Sequence, residues 1–489
     1  MFRVHVVKST FWYLIGGILP TLSGFILLYP YTKYLSVDSY GALAIFISLS
    51  FIIQIVVSFG IETFVSIHHY NYQDSKTELA KFVSTNFNIL LIIGLSAVGL
   101  TFLIGEKAFT HLFGGKINFF PYGFLSVITG VLNAIFRCYT TFIIYLKQPV
   151  KYFLLNLLNF VLTLSISYPY IVTHPNSLDG PIYGRVLSGV GIAIAALFFL
   201  YKDYGFHFDK SKTSGLIKYC MPLLIFGLLS WVLNYINNYI LLGLSSKQSV
   251  GIFDLAMKCV IIIDFVQNAF TSVISPMIYE SWAETSTART LPKEKQLYNY
   301  FNIVSLVTAS FLIIAMPVIF NIWVPQKDFH AALGIFPFLC LSFISRGLYN
   351  QFSFPVYFYK KNVLFPIILG VTSIIQIGIS FLLIPVYGVI GASVSYFVCK
   401  YVQVFLLWFF TKKFFSYSIE LGKNIIAPVL YTLLILVASV YFKNNSSNPF
   451  YIGILVLTPA YIIVQFYKTE FNEFYSFAVH LFRKNILRK

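Results

Sequence analysis

Charge is what this sequence has least of. Asp, Glu, Lys and Arg make up 10% of the 489 residues, with 17 acidic residues against 34 basic ones. Soluble domains carry roughly a quarter of their residues as charges, so most of this chain cannot face water. Cysteine is scarce too. Cys138, Cys220, Cys259, Cys340 and Cys399 all fall inside apolar segments at no metal-like spacing and read as small buried hydrophobes, not a disulfide framework. There is no Asp-x-Asp, no phosphate-cradling glycine loop, no His-Glu-x-x-His and no spaced Cys/His set. His68-His69, at a helix end, reads as an interfacial pair, and no metal site is expected. Without a catalytic motif or a soluble domain, the chain is not expected to be an enzyme.

What is present is apolar. The chain is 58% hydrophobic and 19% aromatic, with a mean hydropathy of +0.79. Roughly 20 residues of helix cross a bilayer core of about 30 Å. The apolar runs predict an all-α polytopic membrane protein with about fourteen spans: 10–31, 41–67, 82–104, 119–145, 152–172, 182–201, 215–242, 250–280, 298–322, 331–358, 363–384, 388–410, 424–442 and 450–467. The first is too long for a cleaved leader and has no small-residue cleavage site, so it is expected to remain as an anchor.

Basic residues set the orientation. Lys147, Lys151, Lys202, Lys210, Lys212, Lys218, Arg289, Lys293, Lys295, Lys360, Lys361, Lys412, Lys413 and Lys423 fall in connections on one side, with Lys468, Arg483, Lys484, Arg488 and Lys489 in the tail. The other side holds only Lys33, Lys107, Lys116, Lys247, Lys327 and Lys443. This asymmetry predicts that both termini are cytoplasmic. The net charge of +17 is therefore a topology signal, and no nucleic-acid partner is expected. The outer loops are short, which argues against a lipid-linked glycosyltransferase or polymerase.

The chain also repeats itself. Asn133, Arg137 and Thr141 share one side of an apolar segment, and Ser342, Arg346 and Asn350 repeat that pattern in the second half. Pro20 precedes Leu35-Ser36-Val37-Asp38-Ser39-Tyr40-Gly41, while Pro222 precedes Leu244-Ser245-Ser246-Lys247-Gln248-Ser249-Val250-Gly251. The repeat divides the chain into an N-terminal six-helix lobe (1–201), a cytoplasmic linker (202–214), a C-terminal six-helix lobe (215–410), two further helices (411–467) and a basic tail (468–489). Duplicated membrane folds with charges at matching depth are the usual plan of transporters.

Intramembrane polar groups are costly and mark candidate sites. Arg137 and Arg346, with Lys400 and Lys258, are candidate substrate-binding cations, because guanidinium suits bidentate phosphate binding. Trp231, Asn234, Tyr235 and Asn238 share an arc that suits the apolar faces and hydroxyl rims of sugars. Asp254 and Lys258 are four apart and can pair. Asp264, Gln267 and Asn268 extend that stripe, and Gln54, Ser58 and Glu62 form another. Glu62, Asp254 and Asp264 are the candidates for proton or sodium coupling. Arg185, just after Pro181, is expected near the outer mouth.

Several stretches in this order carry a family resemblance. They are Thr10-Phe-Trp-Tyr-Leu-Ile-Gly-Gly through Pro20, Tyr31-Thr-Lys-Tyr-Leu-Ser-x-x-x-Tyr-Gly41, Val250-Gly-Ile-Phe-Asp-Leu-Ala-Met-Lys258 and Ile274-Ser-Pro-Met-Ile-Tyr-Glu280. Tyr359-Lys-Lys-Asn-Val363 and Ile384-Pro-Val-Tyr-Gly-Val-Ile-Gly-Ala392 complete the set. Over residues 8–410 the chain resembles Wzx-type polysaccharide flippases, within the superfamily of multidrug and oligosaccharidyl-lipid exporters. The resemblance implies two six-helix lobes around a cavity in the bacterial cytoplasmic membrane. It also implies transport of an undecaprenyl-diphosphate-linked oligosaccharide, with polysaccharide polymerase and glycosyltransferases as partners in O-antigen or capsule assembly. No cofactor is implied beyond a coupling ion, H+ or Na+. Relatives often carry charges where Asn237 and Asn238 stand here, so ion coupling does not transfer residue by residue. A cation-coupled drug exporter and a membrane glycosyl-transfer enzyme stay open as other readings.

Overall fold

The computed structural model describes residues 2–285, 289–442 and 448–473. Most of the expected basic tail, including Arg483, Lys484, Arg488 and Lys489, lies outside the described residues, as does Lys443. Among the described residues there is no strand, only an isolated bridge between Arg289 and Ser416. The fold is all-helical.

The chain forms two compact units: Met1–Gly251 with Trp323–Gln326, and Ile252–Ile322 with Lys327–Lys489. The first unit holds α1 (Phe2–Tyr34), α2 (Val37–Ser58), α3 (Ile61–His68), α4 (Lys76–Phe113), α5 (Tyr122–Tyr145), α6 (Pro149–Thr173), α7 (Asp179–Tyr204), α8 (Leu216–Leu244) and the first turn of α9 (Lys247–Thr285). The second holds the rest of α9, then α10 (Pro292–Trp323, less its last residue), α11 (Phe336–Ser342), α12 (Arg346–Phe358), α13 (Leu364–Thr411), α14 (Ala427–Tyr441) and α15 (Pro449–Phe466).

Among the described residues eleven helices are long and apolar enough to cross a membrane, or twelve if the bent pair Lys327–Gly334 and Phe336–Phe358 is one span. The 48-residue α13 joins two of the expected spans across a break at Gly388, and α9, at 39 residues, is also long enough to cross.

Two expected spans are broken. The run 41–67 splits into α2 and α3 because Phe59 (φ 49°) and Gly60 (φ 81°) leave the helical region. The Phe59 N–H closes α2 on the carbonyl of Ile55 at 3.1 Å. Gln54, Ser58 and Glu62 are therefore not one continuous helical stripe, as their spacing had implied. The run 331–358 is interrupted at Phe343–Ser345 by a tighter 3-10 turn, between α11 and α12. By contrast, α5 is continuous. Its buried side, including Ala134, Ile135, Cys138, Tyr139 and Phe142, packs into the first unit's core with Val57, Phe64, Phe87 and Leu200. That 3.6-residue pattern leaves Arg137 on the opposite side.

The repeated turns fold alike. Ser36 caps α2 by accepting from the Ser39 N–H at 3.2 Å. Ser246 accepts from the Ser249 N–H at 3.1 Å at the start of α9. Each cap satisfies a donor that a helix start would otherwise leave unpaired. The repeated glycines also approach each other within the first unit. A Cβ on Gly41 would collide with the Lys247 carbonyl, and one on Gly251 would lie 2.5 Å from the Val37 carbonyl. The obstacle in both cases is backbone, so a larger residue would force the two helix starts apart.

The segment after α7 is strapped to α4. The His207 N–H donates to Ser84 Oγ at 2.9 Å, Asn88 Nδ2 donates to the His207 carbonyl at 2.8 Å, and the Asp209 N–H donates to Thr85 Oγ1 at 2.9 Å. Lys212 Nζ reaches Glu78 Oε2 at 2.5 Å, and that hydrogen bond raises the lysine's pKa.

Candidate functional site

A cavity of about 380 Å³ opens within the first unit. α2 contributes Phe51, Gln54 and Ser58, α3 contributes Glu62, α5 contributes Arg137, and α8 contributes Trp231, Asn234 and Tyr235. The break after α2 brings Glu62 into this cavity with Gln54 and Ser58, although the three are not on one helix.

The Arg137 side chain is 56% exposed, against 13% for Glu62, and its Nε lies 3.8 Å from Glu62 Oε1. Glu62 Oε2 accepts from Cys138 Sγ at 3.7 Å. Both contacts are long. A long contact whose arginine is more than half exposed contributes roughly 0–1 kcal/mol, and the guanidinium stays open to the cavity. Its nitrogens form a planar donor fork suited to carboxylate or phosphate oxygens.

Aromatic rings make the facing wall. Tyr235 stacks on Phe51 with ring centres 5.6 Å apart, and Trp231 lies 6.1 Å from Tyr235. Trp231 Nε1 donates to the Ser48 carbonyl at 2.9 Å, and Ser48 Oγ donates to the Tyr239 hydroxyl at 3.1 Å. These bonds fasten α8 to α2. Asn234 Nδ2 donates to its own helix, at the Ser230 carbonyl, at 2.8 Å.

The other candidates lie elsewhere. Asn238 is buried at 2% exposure and is absent from the lining, so the arc inferred for Trp231, Asn234, Tyr235 and Asn238 ends at Tyr235. In the second unit, Arg346 Nη2 donates to Asn268 Oδ1 at 2.7 Å, and Nη1 lies 3.6 Å from Asp264 Oδ1. Asn268 Nδ2 donates to Asp264 Oδ2 at 2.8 Å, closing a three-residue ring of contacts. Lys258 pairs with Asp254 at 2.7 Å, one turn apart. The Lys400 ammonium sits 4.9 Å above the Tyr396 ring. Among the described residues no cluster of His, Cys, Asp and Glu could hold a metal. At the end of α3, His69 is 1% exposed, with Nδ1 at 2.8 Å from the Ser66 carbonyl.

Sequence reasoning treated Cys138 only as a buried hydrophobe. Its position beside Arg137 was the available signal that its thiol reaches the same carboxylate. Phe51 gave no signal, because stacking across helices has no local pattern.

The fold has solved counterparts. A lipid II flippase, MurJ, in an inward closed conformation is 15% identical, matching 96% of this chain and 99% of its own with a TM-score of 0.68. A MATE family multidrug resistance transporter in its inward-facing conformation is 14% identical, over 83% of this chain and 94% of its own, with a TM-score of 0.62. A transporter of the same MOP superfamily from Pyrococcus furiosus, described as having a binding pocket of reversed polarity, is 13% identical over 84% of this chain and 95% of its own, with a TM-score of 0.55. At such identities the likeness is one of fold. Comparison with curated protein sequences finds no match. A family model settles membership: residues 6–282, more than half of the chain, match the polysaccharide biosynthesis protein family, and this multi-pass membrane protein belongs to it.

Proposed function

We propose that this protein is a flippase that carries an undecaprenyl-diphosphate-linked oligosaccharide across the bacterial cytoplasmic membrane by alternating access, supplying surface polysaccharide assembly such as O-antigen or capsule. One observation carries the reading: Arg137 presents an open guanidinium fork to a cavity whose other wall is stacked aromatic rings and side-chain amides. The fork suits a diphosphate. The rings suit the apolar faces of a sugar, and Gln54 and Asn234 suit its hydroxyls. Membership of a polysaccharide biosynthesis family and a fold like that of a lipid II flippase support the same substrate class.

In this mechanism the glycan stays in the aqueous cavity and the lipid tail stays in the bilayer. No hydroxyl then enters hydrocarbon unpaired, a transfer that costs several kcal/mol per group. When the diphosphate engages Arg137, Glu62 loses its cationic neighbour and becomes the group to take up a proton or sodium ion. Arg346 with Asp264, and Lys258 with Asp254, are the corresponding pairs in the second unit, and Lys400 is a further cation. In this reading both termini lie in the cytoplasm, as the basic-residue asymmetry suggests, and glycosyltransferases and a polymerase act before and after translocation. The cation-exporter alternative fits less well, because an open guanidinium at the cavity repels cationic drugs.

The test is translocation of a fluorescent lipid-diphosphate oligosaccharide by the full chain in proteoliposomes. Saturable flipping that is lost in Arg137→Ala supports the proposal. Export of an organic cation without any glycan-lipid flipping would overturn it.

A further inference from the structure

A second set of unsatisfied donors lies in the first unit, away from the cavity lining. The Tyr31 side chain near the end of α1 is 2% exposed, and the Arg185 guanidinium near the start of α7 interacts with its hydroxyl. Neither Tyr31 Oη nor Arg185 Nε completes a hydrogen bond, although both atoms are buried. No carboxylate among the described residues lies within ion-pair distance of Arg185, whereas Arg137 and Arg346 each have one. Buried polar atoms in native proteins are nearly always paired, with a water or an ion where no protein group serves. A cation inside a membrane segment is expected to face a partner or a cavity. The phenol oxygen is the one group that the guanidinium faces, so the Tyr31 O–H and the Arg185 Nε–H are left as donors beside a permanent charge, with no anionic acceptor between them.

The local structure holds them there. The Asn176 N–H donates to the Tyr34 carbonyl at 2.8 Å, and the Ser36 N–H donates to Asn176 Oδ1 at 2.9 Å. These bonds tie the end of α1 to the loop that starts α7. Arg185 is six residues into α7, about 9 Å along its axis, and Arg137 is fifteen residues into α5, about 22 Å along its axis. Both helices start on the same face of the membrane, since only α6 separates them. The two arginines therefore stand at different depths.

We infer that Tyr31 and Arg185 form a second oxyanion site, which takes a phosphate or diphosphate group nearer the face at which α5 and α7 begin. The chemistry is shared by a lipid-carrier diphosphate and a free pyrophosphate. If the flippase reading holds, this site is the station the diphosphate occupies on the other side of its passage from Arg137.

The experiment uses the full chain in phosphatidylcholine nanodiscs, in an Arg137→Gln background that silences the first site, with inorganic pyrophosphate as the probe, followed by phosphorus NMR line broadening. Saturable binding is expected. It should be lost in Arg185→Gln and weakened about ten-fold in Tyr31→Phe, the size expected for one hydrogen bond to a charged group. If Arg185→Gln fails to fold, Arg185→Lys and Tyr31→Phe carry the test. Competition by undecaprenyl diphosphate placed in the same nanodiscs assigns the site to the lipid carrier, and pyrophosphate binding without that competition assigns it to a free anion. Absence of saturable binding in the Arg137→Gln background, or binding unchanged in both Arg185→Gln and Tyr31→Phe, overturns the inference. Failure of glycan-lipid flipping with pyrophosphate binding intact would remove the proposed function and leave this site standing.

Discussion

Arg137 and Arg346 occupy matching places in the sequence repeat but opposite electrostatic settings. Arg137 rises from an uninterrupted helix and meets Glu62 by one long contact at 3.8 Å, with more than half of its side chain exposed. Arg346 starts a helix just after a 3-10 turn, and its terminal nitrogens engage Asn268 and Asp264. The first arginine is poised for an incoming anion, while the second already has its acceptors in place. Equal spacing in a repeat thus does not give equal availability. Availability depends on what the neighbouring helix offers, and α3 offers a distant carboxylate where α9 offers an amide and a carboxylate one turn apart.

The largest effect that would sharpen this contrast is on transport. Arg137→Ala should lower flipping by about a hundred-fold, because truncating a charge that holds a desolvated partner costs roughly 2–5 kcal/mol. Arg137→Lys should recover part of it, having the charge but not the fork. Equal losses of flipping in Arg137→Ala and Arg346→Ala, at unchanged stability, would erase the distinction between the two arginines.

Next comes stability in the second unit. Arg346→Ala leaves Asp264 without its cation and should destabilise by about 2 kcal/mol, with the partial exposure of both groups discounted. Adding Asp264→Asn should restore most of that in thermal unfolding followed by size-exclusion fluorescence. A double variant no more stable than Arg346→Ala would show that the pair is not the source of the loss.

Smaller effects probe the repeated turns, where the two halves do behave alike. Ser36→Ala and Ser246→Ala should each cost about 1 kcal/mol, the usual loss for an N-cap serine. Unequal losses in the same unfolding assay would show that the second cap is redundant. Trp231→Phe should be smaller still, at roughly 0.5–1.5 kcal/mol for one hydrogen bond, and Tyr235 should still stack on Phe51. A larger loss of sugar-lipid binding than of stability in that variant would place the indole itself against the substrate.

Much of the fold was legible because it follows from transfer energetics. Runs near 20 apolar residues have few options in a bilayer, and a helix pairs all its backbone groups internally. The Asp254–Lys258 pair was legible for the same local reason, since residues four apart on a helix are neighbours. The break at Phe59–Gly60 was not. The hydrophobicity runs through it unchanged, and only the positive φ values reveal it. That break moved Glu62 to a different helix and still delivered it to Arg137.

By itself the sequence determined the membrane class, the succession of apolar runs, the paired Leu-Ser…Gly stretches and the identity of the intramembrane charges, because each depends on composition or on neighbours within one turn. The tertiary structure decided which charges meet. Glu62 with Arg137, Asp264 and Asn268 with Arg346, Phe51 on Tyr235, and Tyr31 beside Arg185 all join different helices. Such pairs are fixed by helix rotation, breaks and packing between segments far apart in the chain, and no local periodicity encodes them.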